Sequence, residues 1–396
     1  MISIKREVNM SDIEALYTQY RVDSAAGKID LELPNEFKEE TMGVLPSVIQ
    51  FITTVIRDHK LQQIKSRIKD ASFKEQLESA AKSYLWYVSS CLQWWNEFNY
   101  EKGDSLKEDL KPINRTINEW MRNYIPLGTS YMLTCFDHLP KNAGLMKMFY
   151  QPPKYSIVEE EMIEQYVNQI IKNLGERTNK AVFSQLAKAL KPLTAIIYEL
   201  FKNTDDWATK DRFGNKIEPS VRGIYFRYFK NYPDKLKQYT ENNESLNTYF
   251  SHDIFKPDQE KKISFIEFSV FDTGDGFAGR RLGATYTEET PVVEEIRIIK
   301  QCMTKYWTND EGKKGIVKGI GLDRVLSTIN AKGFLRIRTN KTHVYRDMVL
   351  DQYQTENLSE NIKLYDWNNL SDQSFTTHYN AKGSVITIIL PLEAVS

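Results

Sequence analysis

The chain has 396 residues, with 53 Lys and Arg against 53 Asp and Glu, so its formal net charge is zero. Direct nucleic-acid binding is therefore not expected, because it draws on a basic excess. At 41% hydrophobic and 12% aromatic residues, the composition excludes a disordered or collagen-like chain and suffices for two cores or one large one.

The N-terminal segment lacks the apolar centre of a signal peptide, and no apolar run approaches the roughly 20 residues that a membrane span needs. Cys91, Cys135 and Cys302 fit no zinc or disulfide spacing and suit a reducing compartment. The expectation is a soluble, cytoplasmic protein. Residues 29–33 (IDLEL) alternate and end at Pro34, which predicts a short strand. Apolar residues recur at three and four positions in 44–56, 73–98 and 113–124, predicting helices that bury one face. Trp86, Trp94, Trp95 and Trp120 fall in this region, where large aromatics more often serve burial than ligand stacking. Residues 1–150 are thus expected to form a mainly helical domain used for interaction or dimerisation, with the strand at 29–33 leaving open a small α/β unit at the N-terminus rather than a pure helix bundle.

Gln151-Pro152-Pro153 makes a boundary, since consecutive prolines stop helices. Helical spacing resumes at 158–173 and 183–208. Residues 209–262 read as an insertion, with Tyr225, Phe226, Tyr228, Phe229 and Tyr232 marking a short helical segment. Runs rich in β-branched and aromatic residues at 263–271, 333–338, 343–350 and 384–392 predict sheet strands. Helices followed by strands imply an α+β sandwich.

Three stretches carry candidate chemistry. Glu199 and Asn203 are four apart on a mostly apolar helix, so a carboxylate and a carboxamide share one face and can hold a hydrated cation. Asp272-Thr-Gly274-Asp-Gly276 directly follows a predicted strand, setting a carboxylate beside bare backbone that a planar ligand can approach. Gly319-Ile320-Gly321-Leu322 precedes a predicted helix at 322–330, where exposed N–H groups favour phosphate. It is not a Walker loop, which ends in GKS or GKT. Eight of the 18 glycines lie between 274 and 321, which marks this stretch as the site.

In this order the stretches resemble the GHKL ATPase superfamily, which groups DNA gyrase B, the ninety-kilodalton heat-shock chaperones, histidine kinases and MutL. The resemblance covers about residues 183–392. The N box looks like Glu199-Leu-Phe-Lys-Asn203-Thr-Asp-Asp206, the adenine box like Asp272-Thr-Gly274-Asp-Gly276, and the phosphate box like Gly319-Ile-Gly321-Leu322. Gly383-Ser384 with the following VITIILPL resembles the family's terminal Gly-Thr strand.

The resemblance implies a Bergerat-type α/β sandwich, a mixed sheet covered by helices, over residues 151–396. It also implies ATP and Mg²⁺ as ligands. Asp272 would accept the adenine amino group, with Gly274, Gly276 and Ser384 beside it. Asn203 would hold Mg²⁺ and Asp206 would belong to the same nucleotide box. Lys318, Gly319, Ile320, Gly321 and Leu322 would cradle the phosphates, with Lys313 and Lys314 as further sources of charge. Residues 277–318 match the mobile lid. Glu199 stands where hydrolysing members keep their general base, which implies a Mg-dependent ATPase that switches dimerisation or binding of a separate effector protein. One alternative is a histidine-kinase-like phosphotransferase, for which His59 and His138 lack the usual flanking Glu and Pro. Another is a non-hydrolysing nucleotide sensor or scaffold. The chain ends at Ser396, so the γ-phosphate lysine that gyrase, MutL and the chaperones take from a following domain is expected from the lid, the N-terminal region or another subunit.

Overall fold

The computed structural model describes residues 1–38, 41–93, 97–177, 180–240, 243–304, 321–355 and 358–392. The N-terminal half contains β1 (Ile2–Ser3), α1 (Met10–Asp23), β2 (Ile29–Leu33), α2 (Val44–Arg57), β3 (Leu61–Ser66), α3 (Lys74–Ala81), α4 (Tyr84–Leu92), β4 (Glu97–Asn99) and α5 (Lys107–Arg122). Asn9 and Asp12 form a reciprocal capping box that starts α1. The expected helix over 73–98 is two helices and a strand, because Ser83 accepts from Trp86 N–H and begins a new helix.

β1 to β4 form a parallel sheet in the order β1-β2-β3-β4. An order that never reverses, joined by right-handed crossovers, puts the connecting helices on one face. Ile29, Leu31 and Leu33 are buried toward those helices, whereas Asp30 and Glu32 are half-buried on the other side. Of the two N-terminal alternatives the small α/β unit is the one that forms: helices remain the larger part, and the predicted strand at 29–33 belongs to a four-stranded sheet. Its neighbours β1 and β4 are two and three residues long, too short to leave a periodic trace.

The second sheet has the order β10-β9-β8-β11-β7-β6-β5 and is antiparallel at every pairing. Its strands are β5 (Ser130–Cys135), β6 (Arg222–Asn231), β7 (Ile263–Asp272), β8 (Phe334–Asn340), β9 (Thr342–Asp347), β10 (Tyr365–Asp366) and β11 (Ala381–Leu392). The expected mixed sheet is therefore antiparallel among the described residues. Two further expectations change. β5 lies before Pro152-Pro153 yet forms an edge of this sheet, so the prolines do not separate the two sheets' elements. Within 209–262, Tyr225, Phe226, Tyr228 and Phe229 do not mark a short helical segment either, since they lie on β6, inside the sheet between β5 and β7. The remaining helices are α6 (Lys141–Gly144), α7 (Glu160–Arg177), α8 (Lys180–Lys188), α9 (Leu190–Trp207), α10 (Glu244–Phe250), α11 (Gly276–Leu282), α12 (Val292–Cys302) and α13 (Gly321–Ile329).

Both faces of the antiparallel sheet are covered. α9 lies on β6 and β7 and is flanked by α7 and α13. On the opposite face α2 packs against β11 and β7, and every residue from 44 to 56 is buried. One apolar cluster runs through all these layers, from Ile64 and Phe51 to Ile388 and Val325. Trp86 belongs to it and donates to Pro34 O, whereas Trp94 and Trp95 lie outside the described residues. Among the described residues no helix is long and apolar enough to cross a membrane.

Candidate nucleotide cleft

α9 presents one face to the sheet through Leu193, Ile196, Ile197, Leu200 and Phe201, all buried. The next stripe round the helix carries Glu199, Asn203 and Trp207, four residues apart and facing a cleft. The opposite wall is the end of β7, the turn after it, and β11, from which Asp272, Gly274, Gly276 and Ser384 line the same cleft. Gly321 and Leu322, at the start of α13, close one side, and the exposed Asp206 stands at the rim. Stretches separated by up to about half the chain thus meet around one space.

The Gly321 backbone faces the Glu199–Asn203 pair: a Cβ at that position would stand 3.0 Å from Glu199 Oε2 and 3.6 Å from Asn203 Nδ2. The helix N-terminus and the carboxylate–carboxamide pair therefore border one another. Lys313, Lys314, Lys318, Gly319 and Ile320 lie outside the described residues. So does 305–318 of the expected lid, whose earlier part folds as α11 and α12 around Ala278, Tyr286 and Ile298.

Asp272 accepts from Gly274 N–H at 2.7 Å and borders the Ser384 backbone N–H. Burial pushes its carboxyl up to about 6, against the opposing pull of those N–H groups and of the Arg222 and Arg57 guanidinium groups. Arg222 is itself occupied, with Asp137 at 2.8 Å and 2.6 Å. Ser384 Oγ lies 3.0 Å from Thr339 Oγ1, and Thr339 also donates to Gly383 O at 3.2 Å. Gly276 has φ +72°, and a Cβ there would run into Asn340 and Thr339. Its glycine thus serves the turn and its packing on β8, rather than ring access alone.

Sequence reasoning missed several members of this cleft. Trp207 continues the Glu199–Asn203 spacing and could have been found from it; the Arg280 guanidinium lies 5.1 Å from its ring centroid. Phe277 and Cys302 also face inward, the thiol pushed up to about 12 by burial. Arg324 on α13 donates to Glu199 Oε1 at 3.1 Å while binding both oxygens of Glu160 at 2.6 Å and 2.7 Å. No local pattern announces this three-residue ion cluster, because its members come from α7, α9 and α13.

Two other groups are occupied by the fold. His138 bonds Cys91 O and Ser220 through its two ring nitrogens. Glu14, His343 and His378 lie close enough for a metal, but Arg338 donates to Glu14 and Arg336 to His343 Nε2, so guanidinium groups already supply the positive charge. Comparison of the chain with protein-family models, curated proteins and solved structures finds no match in any of the three.

Proposed function

We propose that the cleft binds Mg·ATP and hydrolyses it, and that the chain is a nucleotide-dependent switch of the GHKL type acting through dimerisation or a separate effector protein. The reading rests on one observation: Glu199, Asn203, Asp272, Ser384 and Gly321 line a single cleft. A desolvated carboxylate at the end of β7 suits an amino group on a planar base, since a bond made away from water discriminates more strongly than an exposed one. At the other end the first turn of α13 suits phosphate.

The residues near that turn fit a hard cation with oxygen ligands. Asn203 would hold Mg²⁺, which keeps several waters and offsets phosphate charge when bound. Glu199 accepts the proton of the water that attacks the terminal phosphate. The Arg324 ion pair favours a second reading, in which nucleotide is bound without turnover while Arg324 holds the Glu199 carboxylate.

Calorimetry with Mg·ATP and a phosphate-release assay separate the two readings. Glu199→Ala is expected to keep ATP affinity and lose turnover by about a hundredfold or more. Asp272→Asn replaces an acceptor by a carboxamide and is expected to weaken ATP by about a hundredfold, near 2.7 kcal/mol. ATP affinity unchanged in Asp272→Asn would sink the assignment of the cleft.

A further inference from the structure

α2 carries Ser47, Gln50, Thr54 and Arg57 at intervals of three and four, so one helical face is polar although the helix is buried. That face lies against the back of the antiparallel sheet. Ser47 Oγ accepts from Arg336 Nη2 at 2.9 Å, and Thr54 Oγ1 accepts from Lys382 N–H at 3.0 Å. Gln50 Nε2 donates to Arg338 O at 3.1 Å and to Gly383 O at 3.3 Å.

Arg57, at the end of the helix, reaches the turn after β7. Its Nη1 donates to Thr273 O and, at 2.8 Å, to Gly274 O, while Nη2 pairs with Asp275 Oδ1 at 3.1 Å. The other Asp275 oxygen accepts from Arg212 N–H. Gly274 is the shared node. Its N–H holds Asp272 Oδ1, and its carbonyl receives both Arg57 and the Gly383 N–H, the latter at 2.6 Å. One helix from the N-terminal half therefore grips, from behind, both backbone stretches that carry Asp272 and Ser384 into the cleft.

We propose that Arg57 is a positioning residue for purine recognition, fixing the turn that aims Asp272 at the base; this rests on the reading of the cleft as a nucleotide site. A planar guanidinium fork can hold two successive carbonyls and a carboxylate together, which a lysine ammonium cannot match in geometry. Without it Thr273 O, on the peptide that carries the Gly274 N–H, loses its guanidinium partner; Gly383 N–H still holds Gly274 O, so the turn loosens rather than opens and its N–H orients Asp272 less firmly. An adenine amino group needs an acceptor at that spot, whereas guanine offers a carbonyl there. Arg57 touches neither α9 nor α13 through any hydrogen bond described, so the phosphate end is not affected.

The test measures ATP and GTP affinity by calorimetry, and amide hydrogen exchange of the 272–276 turn without nucleotide, in wild type, Arg57→Ala and Arg57→Lys. Arg57→Ala is expected to weaken ATP by about tenfold and leave GTP unchanged, so the ATP/GTP ratio falls by that factor. Arg57→Lys recovers part of the ratio, and the turn exchanges faster in Arg57→Ala while β7 and β11 keep their protection. A purely structural role would weaken both nucleotides alike and lower the melting temperature. An unchanged ratio with wild-type exchange in the turn overturns the proposal. A wild-type protein that binds neither nucleotide overturns the reading of the cleft instead, and turn exchange then decides whether Arg57 holds the turn.

Discussion

The two faces of the antiparallel sheet both bury charged side chains, and they treat them in opposite ways. On the back, Glu14 meets Arg338 Nε at 2.8 Å, His343 Nδ1 at 3.3 Å and His378 Nδ1 at 3.1 Å. Burial alone would raise its carboxyl, but Arg338 and the two histidines hold it well below the ordinary 4.5. On the front, Asp272 has only backbone N–H groups and more distant guanidinium groups, burial wins, and its carboxyl rises to about 6. A guanidinium in direct contact, joined by two imidazole rings, and not depth, separates the two carboxylates. The back carboxylate has its cation within the chain, whereas the front carboxylate is the one to which an added N–H donor would contribute most.

Removing the cation on the back should have the largest effect. Arg338→Met strands Glu14 among buried groups and should cost about 3–5 kcal/mol in denaturant unfolding; a loss under about 1 kcal/mol would mean that the back face does not depend on that compensation.

A pH series reads the front. The ionised form of Asp272 accepts an amino N–H, and with its carboxyl at about 6, above the ordinary 3.8, that form is lost as pH falls through 6. Adenosine affinity, measured by calorimetry to keep nucleotide phosphates out of the titration, should approach a tenfold loss per pH unit below about 6. Binding there should take up no proton and release one. In Asp272→Asn the slope should vanish, and a persisting slope would assign the titration to another group.

The smallest effect belongs to Ser384→Ala. It removes the Ser384 hydroxyl from Thr339, but Thr339 keeps its bond to Gly383 O. A two- to threefold change in adenosine affinity, about 0.5 kcal/mol, is expected, with the sheet's stability preserved. A loss as large as that of Asp272→Asn would move base recognition from β7 to β11.

The parts of the site legible in the sequence were those whose geometry is local. Glu199 and Asn203 share a face because a helix repeats every 3.6 residues, and Asp272 sits at a strand end because the strand before it is long and rich in β-branched and aromatic residues. β6 escaped because Arg222–Asn231 is covered on both sides, so polar and apolar residues do not alternate, and its aromatic spacing imitates a helix. α2 was recognised as a helix, but the use of its polar stripe was hidden: Ser47, Gln50, Thr54 and Arg57 have meaning only against β7, β8 and β11, more than 200 residues away for Arg57. Arg324 and Glu160 were hidden for the same reason, being paired only once α7, α9 and α13 are packed together.

The burial of α2 between two sheets has a consequence for how the chain comes apart. Neither sheet can lose that helix without baring apolar surface on both sides, and β5 ties the antiparallel sheet to residues before Pro152. The two halves then share one cooperative unit, and heating should give a single calorimetric transition whose enthalpy equals its van't Hoff value. A fragment of residues 151–396 would leave the back of β7 and β11 uncovered and β6 without its outer neighbour, and should behave as an aggregating chain rather than a smaller domain.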